Sequence, residues 1–254
     1  IEVNASGRII REISKKSSTK GIDVVLSLDS DLQKYVNFKL KDHKAGSIVV
    51  MDAENGEILS MASSPKFDSN LIIKKPNQNY WESLLSNPLS PLTDRSVQGL
   101  YAPGSTFKMI VAIAALKHNL INSKSHFFCE SKINYGDRLF HCWKTNGHGK
   151  MNVFSAIKES CDVFFYDLSI KVGIDKIAEV AKDFGLGEIY KANIGNQKKG
   201  IVPSKKWKKE TLKESWYGGE TLIAAIGQGY VLSSPLQLAV MTSRIASGGK
   251  KITP

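Results

Sequence analysis

Met109 to Leu116 is an unbroken apolar run, and Pro103-Gly104-Ser105-Thr106-Phe107-Lys108 leads straight into it. A helix apolar on nearly all sides has no face to give to water, so it belongs in the middle of a core. Pro103-Gly104 supplies a tight entry that brings backbone close to whatever binds there. Ser105 and Lys108 therefore stand at the mouth of a buried helix, one turn apart and on the same face. A hydroxyl and an amine so placed form a compact unit for nucleophilic acyl chemistry. Lys108 would take the Ser105 proton, and first-turn N–H groups would lie beside the developing oxyanion. The same residues also describe a serine-capped helix with a surface lysine, and the pair alone does not choose.

A chain of 254 residues with 42% hydrophobic content can bury a sizeable core, as one large domain or a domain plus an appendage. No apolar run reaches the roughly 18 residues of a membrane span. The start at Ile1-Glu2-Val3, without methionine, reads as an excised piece, and the sequence does not show whether an anchor preceded it. The net charge of +11 comes partly from Lys198, Lys199, Lys205, Lys206, Lys208, Lys209 and Lys213. These read as a solvated face, with attraction to an anionic surface as a second role. No RNP, C2H2 or helix-turn-helix signature surrounds them, so nucleic acid is not an expected partner.

Along the chain, residues 1–20 are polar and basic and read as an arm. Val24–Leu28 predicts a strand ending at Asp29-Ser30-Asp31, a stretch able to cap a helix whose Leu32, Val36 and Leu40 form one apolar stripe. Residues 47–52 and 57–63 flank Asn55-Gly56, a strong hairpin signal. Residues 64–104 form a long Pro-, Asn- and Ser-rich loop with a short helix near Tyr80–Ser86. Asn152 caps a helix to about Glu159, and Asp162 caps another over Val163–Val172 that stops at Gly173. Asp175–Phe184 is amphipathic, and Ser234-Pro235 opens a last helix over Leu236–Ile245.

Four further segments carry a resemblance. They are Ser47–Asp52 through Gly56–Ser63 with Pro65–Asn70, then Tyr101–Lys108, Ser160-Cys161-Asp162, and Gly227-Gln228-Gly229-Tyr230 with Ser234–Ala239. Together they resemble the penicillin-binding transpeptidases, whose nucleophile motif is S-x-x-K, and within them the elongation-specific class B branch. The resemblance covers nearly the whole chain. It implies an α+β serine-transpeptidase/β-lactamase-like fold, an antiparallel sheet flanked by helices. Residues 1–20 would be the end of a membrane-proximal pedestal or linker arm, and 21–254 the transpeptidase domain. Ser105 would be acylated by the penultimate D-alanine carbonyl of a peptidoglycan stem peptide, and covalently by β-lactams. Lys108 matches the proton acceptor, and Ser160 the hydroxyl that relays protons at the leaving or attacking nitrogen.

The second motif here ends in Asp162 where asparagine is usual; an ionised carboxylate accepts hydrogen bonds but donates none. No Lys-Thr-Gly or Lys-Ser-Gly occurs, so the third motif and the C-terminal strands of the sheet are expected beyond Pro254. Implied surroundings are a single-pass inner-membrane anchor, a periplasmic catalytic domain, a membrane glycan polymerase and rod-shape scaffold proteins. A class D-like β-lactamase or β-lactam sensor is the first rival, and a non-enzymatic basic module for wall polymer the second.

Cys129, Cys142 and Cys161 have no metal-knuckle spacing, and alone they read as a disulfide plus a free thiol or as three buried thiols. The class B branch is associated with a zinc site between its first two motifs. The resemblance therefore implies a closed structural zinc site on Cys129, Cys142, His148 and Cys161, with His141 and then His126 as rivals for the histidine.

Overall fold

The basic start of the chain forms little more than a short antiparallel ribbon, β1 (Glu2–Val3) with β2 (Ile9–Arg11), largely exposed. The computed structural model describes residues 1–74, 77–192 and 194–254. The strand expected at Val24–Leu28 does not form, and those residues lie exposed. They approach the sheet through Ser27 Oγ, which donates to Ile58 O at 2.9 Å, and Asp29 N–H, which donates to Leu59 O at 2.9 Å. High β-propensity marks a fit to a pleated surface, and without a ladder to join it makes no strand. Asp29 does cap α1 (Ser30–Lys39), its carboxylate accepting from the N–H groups of Asp31 and Leu32.

The apolar stripe finds the predicted hairpin. Val36 and Leu40 pack on Ala62, with Leu32, Ile48 and Val50 against them. The hairpin is β3 (Gly46–Met51) antiparallel to β4 (Ile58–Ser64), Ile48 facing Ala62 and Val50 facing Ser60. The polar stretch that follows holds α2 (Ser69–Lys74), which no periodicity announced, and α3 (Gln78–Leu85), capped by Asn77.

The apolar run becomes α4 (Lys108–Lys117), with Ile110, Val111, Ala112, Ala114 and Ala115 buried in the main core. Residues 127–151 form short strands not evident in the sequence. Here β5 (Phe127–Cys129), β6 (Lys132–Tyr135), β7 (Arg138–His141) and β8 (Gly149–Met151) pair as β5 with β8 and β6 with β7. Asn152 caps α5 (Val153–Lys158) through a reciprocal bond with Ser155, and α6 (Asp162–Val172) stops at Gly173 before α7 (Ile174–Asp183). The chain then adds α8 (Lys205–Thr211), α9 (Gly218–Ala225) and α10 (Pro235–Ala246), the last capped by Ser234 and Gln237. Helices α4 and α9 both pack on α6, and α10 covers β3. The architecture is α+β as expected, although every sheet among the described residues has two strands. No helix among them is long and apolar enough to cross a membrane.

Two buried cations tie this arrangement together. Lys208 departs from the expected solvated face: its side chain is 1% exposed and donates to Glu220 Oε1 at 2.6 Å, beneath the Tyr217 ring. Arg244, equally buried, donates to Ile252 O and Asp183 O, both at 2.9 Å, and faces Glu188. Arg244→Ala strands both carbonyls and should cost about 2–5 kcal/mol, read as a lower urea midpoint with an unchanged slope.

Candidate active site

Ser105 is exposed on a 3₁₀ turn, Gly104–Phe107, that runs directly into α4. Thr106 Oγ1 closes the turn by donating to Pro103 O at 2.8 Å. The segment after α9 clamps it from outside. Gly104 N–H donates to Gly227 O at 2.9 Å, and Tyr101 and Ser233 exchange two backbone bonds, also at 2.9 Å. Gly227 has φ 70°, and a Cβ there would fall inside the backbone of Gly104. Only glycine lets this segment lie against the nucleophile turn.

Lys108 is the first residue of α4, and its side chain is 2% exposed. Its Nζ donates to Ser160 O (2.9 Å), Ser160 Oγ (2.9 Å) and Asp162 Oδ1 (2.6 Å). Ser160 Oγ in turn lies 2.7 Å from Ser105 Oγ. The direct contact expected between Ser105 and Lys108 is thus replaced by a bridge through Ser160. Asp162 explains why: its carboxylate, held beside α4, draws the lysine toward the 160 loop.

Asp162 is not the helix cap it was expected to be. Cys161 occupies that position, and the Asp162 carboxylate reaches across to Lys108 and, through Oδ2, to the Trp143 backbone N–H at 3.0 Å. An ion pair with a buried ammonium outcompetes a neutral N–H for that carboxylate. Asp162→Ala strips the buried Lys108 ammonium of its counter-charge and the Trp143 N–H of its acceptor, and should lower stability by about 3–5 kcal/mol in urea unfolding. Asp162→Asn offers one acceptor oxygen to two donors and is expected to fall between the two.

Beside this motif the cysteines and one histidine converge. The ligand atoms of Cys129, Cys142, His148 and Cys161 all lie within 4.8 Å of one another. His148 Nδ1 is 3.4 Å from Cys142 Sγ and 3.7 Å from Cys129 Sγ. All three thiols are buried, and none is in a disulfide among the described residues. His141 and His126 are exposed and lie outside the group. Gly147 (φ 70°) makes the loop possible, because a Cβ there would enter the Cys129 carbonyl and come within 2.7 Å of Ser131 N.

The cluster's electrostatics are uneven. Burial lifts the Cys142 thiol, but the backbone N–H groups of Lys144, Val163 and Asp162 outweigh it and leave the group below its ordinary range. Burial raises Cys161 strongly, against one backbone N–H from Phe164. Burial and the Lys144 charge lower His148, favouring the neutral imidazole that a metal ligand needs. Tyr166 beneath is pushed up to about 12 by burial, then by the Asp162 charge. Three sulfurs and one nitrogen within 4.8 Å of one another match in kind and number the donors of a closed Cys3His zinc site.

Sequence reasoning missed Trp143. It follows Cys142 and carries no motif of its own, yet its indole N–H donates to Glu159 O and Ser160 O, both at 3.1 Å.

Residues 46–254 match the penicillin binding protein transpeptidase domain. The chain belongs to the penicillin-binding transpeptidase family. It is 34% identical over 241 residues to the peptidoglycan D,D-transpeptidase MrdA of Escherichia coli strain K12, covering 94% of this chain and 38% of that protein. The chain thus spans about 38% of the length of the curated relatives it matches. The crystal structure of Pseudomonas aeruginosa PBP2 in complex with WCK 5153 superposes with a TM-score of 0.87 at 37% identity, over 91% of this chain and 53% of that one. PBP2 from Helicobacter pylori in its complex with MreC gives 0.86 at 36% identity, over 97% and 46%. These likenesses bear out the expected serine-transpeptidase fold.

Proposed function

We propose that this chain is the catalytic part of a peptidoglycan D,D-transpeptidase that cross-links stem peptides during cell elongation. One observation carries the reading: Ser160 Oγ touches both Ser105 Oγ and Lys108 Nζ, joining two motifs 55 residues apart into one proton path. Ser105 is exposed at the end of that path, where a substrate carbonyl has access. The family and its D,D-transpeptidase relatives support the same assignment.

In this mechanism Ser105 Oγ bonds to the carbonyl carbon of the penultimate D-alanine. Its proton moves to Ser160 Oγ as the Ser160 proton moves to Lys108, which in its amine form would donate to Ser160 O and Asp162 Oδ1 and turn its lone pair to Ser160 Oγ. The reverse transfer delivers a proton to the departing nitrogen of the terminal D-alanine. An amine from a neighbouring stem peptide then attacks the ester, loses its proton along the same path and frees Ser105. A β-lactam carbonyl entering the same position would leave Ser105 acylated.

The Cys129, Cys142, His148 and Cys161 group would hold one zinc ion. Four protein donors leave no open position, so its role is structural; bound there, the cation would keep the thiols deprotonated in spite of their burial. It would fasten β5, the loop after β7, and the turn between Ser160 and Asp162. By family resemblance the setting is a periplasmic domain on an inner-membrane anchor, acting with a membrane glycan polymerase and rod-shape scaffold proteins. The H. pylori relative in complex with MreC supports partners of this kind.

The test is intact mass of the full-length protein after exposure to penicillin. A single adduct that persists for hours supports a transpeptidase. Fast return to the unmodified mass would indicate a β-lactamase, and no adduct would remove the reading.

A further inference from the structure

Trp143 is 61% exposed, yet its one polar side-chain atom is turned inward. Nε1–H donates to the carbonyls of Glu159 and Ser160, and the backbone N–H of the same residue donates to Asp162 Oδ2. One residue therefore holds the two peptide carbonyls that flank the Ser160 Cα as well as the Asp162 carboxylate. Ser160 has need of such a grip. Its φ of 51° lies in the left-handed region that L residues avoid, and such a conformation persists only where the surroundings over-determine it. The Ser160 carbonyl is also an acceptor for Lys108 Nζ, so the indole and the ammonium share one oxygen. A shift of that peptide would move Ser160 Oγ away from Ser105 and loosen Lys108 together.

We propose that Trp143 is a positioning residue for acyl transfer. Its indole N–H fixes the 159–160 carbonyls so that the Ser160 hydroxyl stays in reach of both Ser105 and Lys108. The inference rests on the reading of Ser105 as the acylated residue. A purely structural alternative has its own basis, since the ring packs edge-on against His148 at 5.3 Å between centroids. The two roles differ in what loss of the N–H alone would do: removing a proton donor while keeping the ring spares the packing and releases the carbonyls.

The experiment follows acylation by a fluorescent penicillin in the full-length protein, separating the initial binding constant from the acylation rate constant. Two variants are compared with wild type: Trp143→Phe, and replacement of Trp143 by benzothienylalanine, which keeps the bicyclic shape and puts sulfur in place of the N–H. Both should slow acylation about tenfold, the rate equivalent of one net hydrogen bond. Initial binding and melting temperature should stay unchanged for the benzothienylalanine protein. A wild-type rate constant in that protein overturns the inference, as does a slower rate explained wholly by a smaller folded fraction. If wild type itself takes no label, the underlying assignment of Ser105 falls, and this inference with it. A labelled wild type with an unslowed variant overturns this inference alone.

Discussion

Ser105→Ala is expected to abolish the penicillin adduct entirely in an intact-mass measurement, while the protein stays folded. Ser105 Oγ is exposed and bonded to Ser160 Oγ at 2.7 Å, so its loss removes the attacking oxygen without opening the core. Ser160→Ala is expected to behave differently. The nucleophile remains, but the bridge to Lys108 is cut, and a positioned proton carrier contributes about 10²–10⁴ in rate. Slow labelling of Ser160→Ala beside no labelling of Ser105→Ala would establish the order of the path. An adduct that survives Ser105→Ala would sink the mechanism, because it would put the acyl group on another residue, Ser160 being the hydroxyl bonded directly to Lys108.

The second large effect concerns the cysteine–histidine cluster. Elemental analysis of the full-length protein should find about one zinc per chain, and Cys142→Ala or His148→Ala should lose it. A ligand present at a thousandfold over its dissociation constant stabilises by about 4 kcal/mol. At roughly 2–4 °C per kcal/mol for a domain of this size, the variants or a strong chelator should lower the melting temperature by roughly 8–16 °C. Acylation should weaken as well, since Cys161 sits between Ser160 and Asp162. A zinc-free wild type, or a Cys129–Cys142 disulfide on a peptide map, would end the proposal.

Local signals were legible where a single stretch of sequence suffices to decide the structure. The caps at Asp29, Asn152 and Ser234, the hairpin at Asn55-Gly56 and the buried helix after Lys108 all stand where short-range rules put them. The failures share a cause. Val24–Leu28 has strand composition but finds no ladder, Lys208 lies in a basic run but is buried against Glu220, and the 127–151 strands are too short to show a period. Each depends on a partner remote in sequence, which no local pattern encodes.

The candidate site divides along the same line. Sequence by itself determined the chemistry available: a serine and a lysine at the mouth of a core helix, a second serine with an aspartate, and three cysteines with a histidine. Tertiary structure decided how they are wired. Packing α4 on α6 puts Lys108 against Asp162, which turns the lysine away from a direct contact and makes Ser160 the bridge to Ser105. The same packing, with the loop after β7 folded over it, selects His148 rather than His141 and gives Trp143 its hold on Ser160. Side-chain identity is local, but hydrogen bonds and ion pairs act over about 3 Å, and only the folded chain sets those distances.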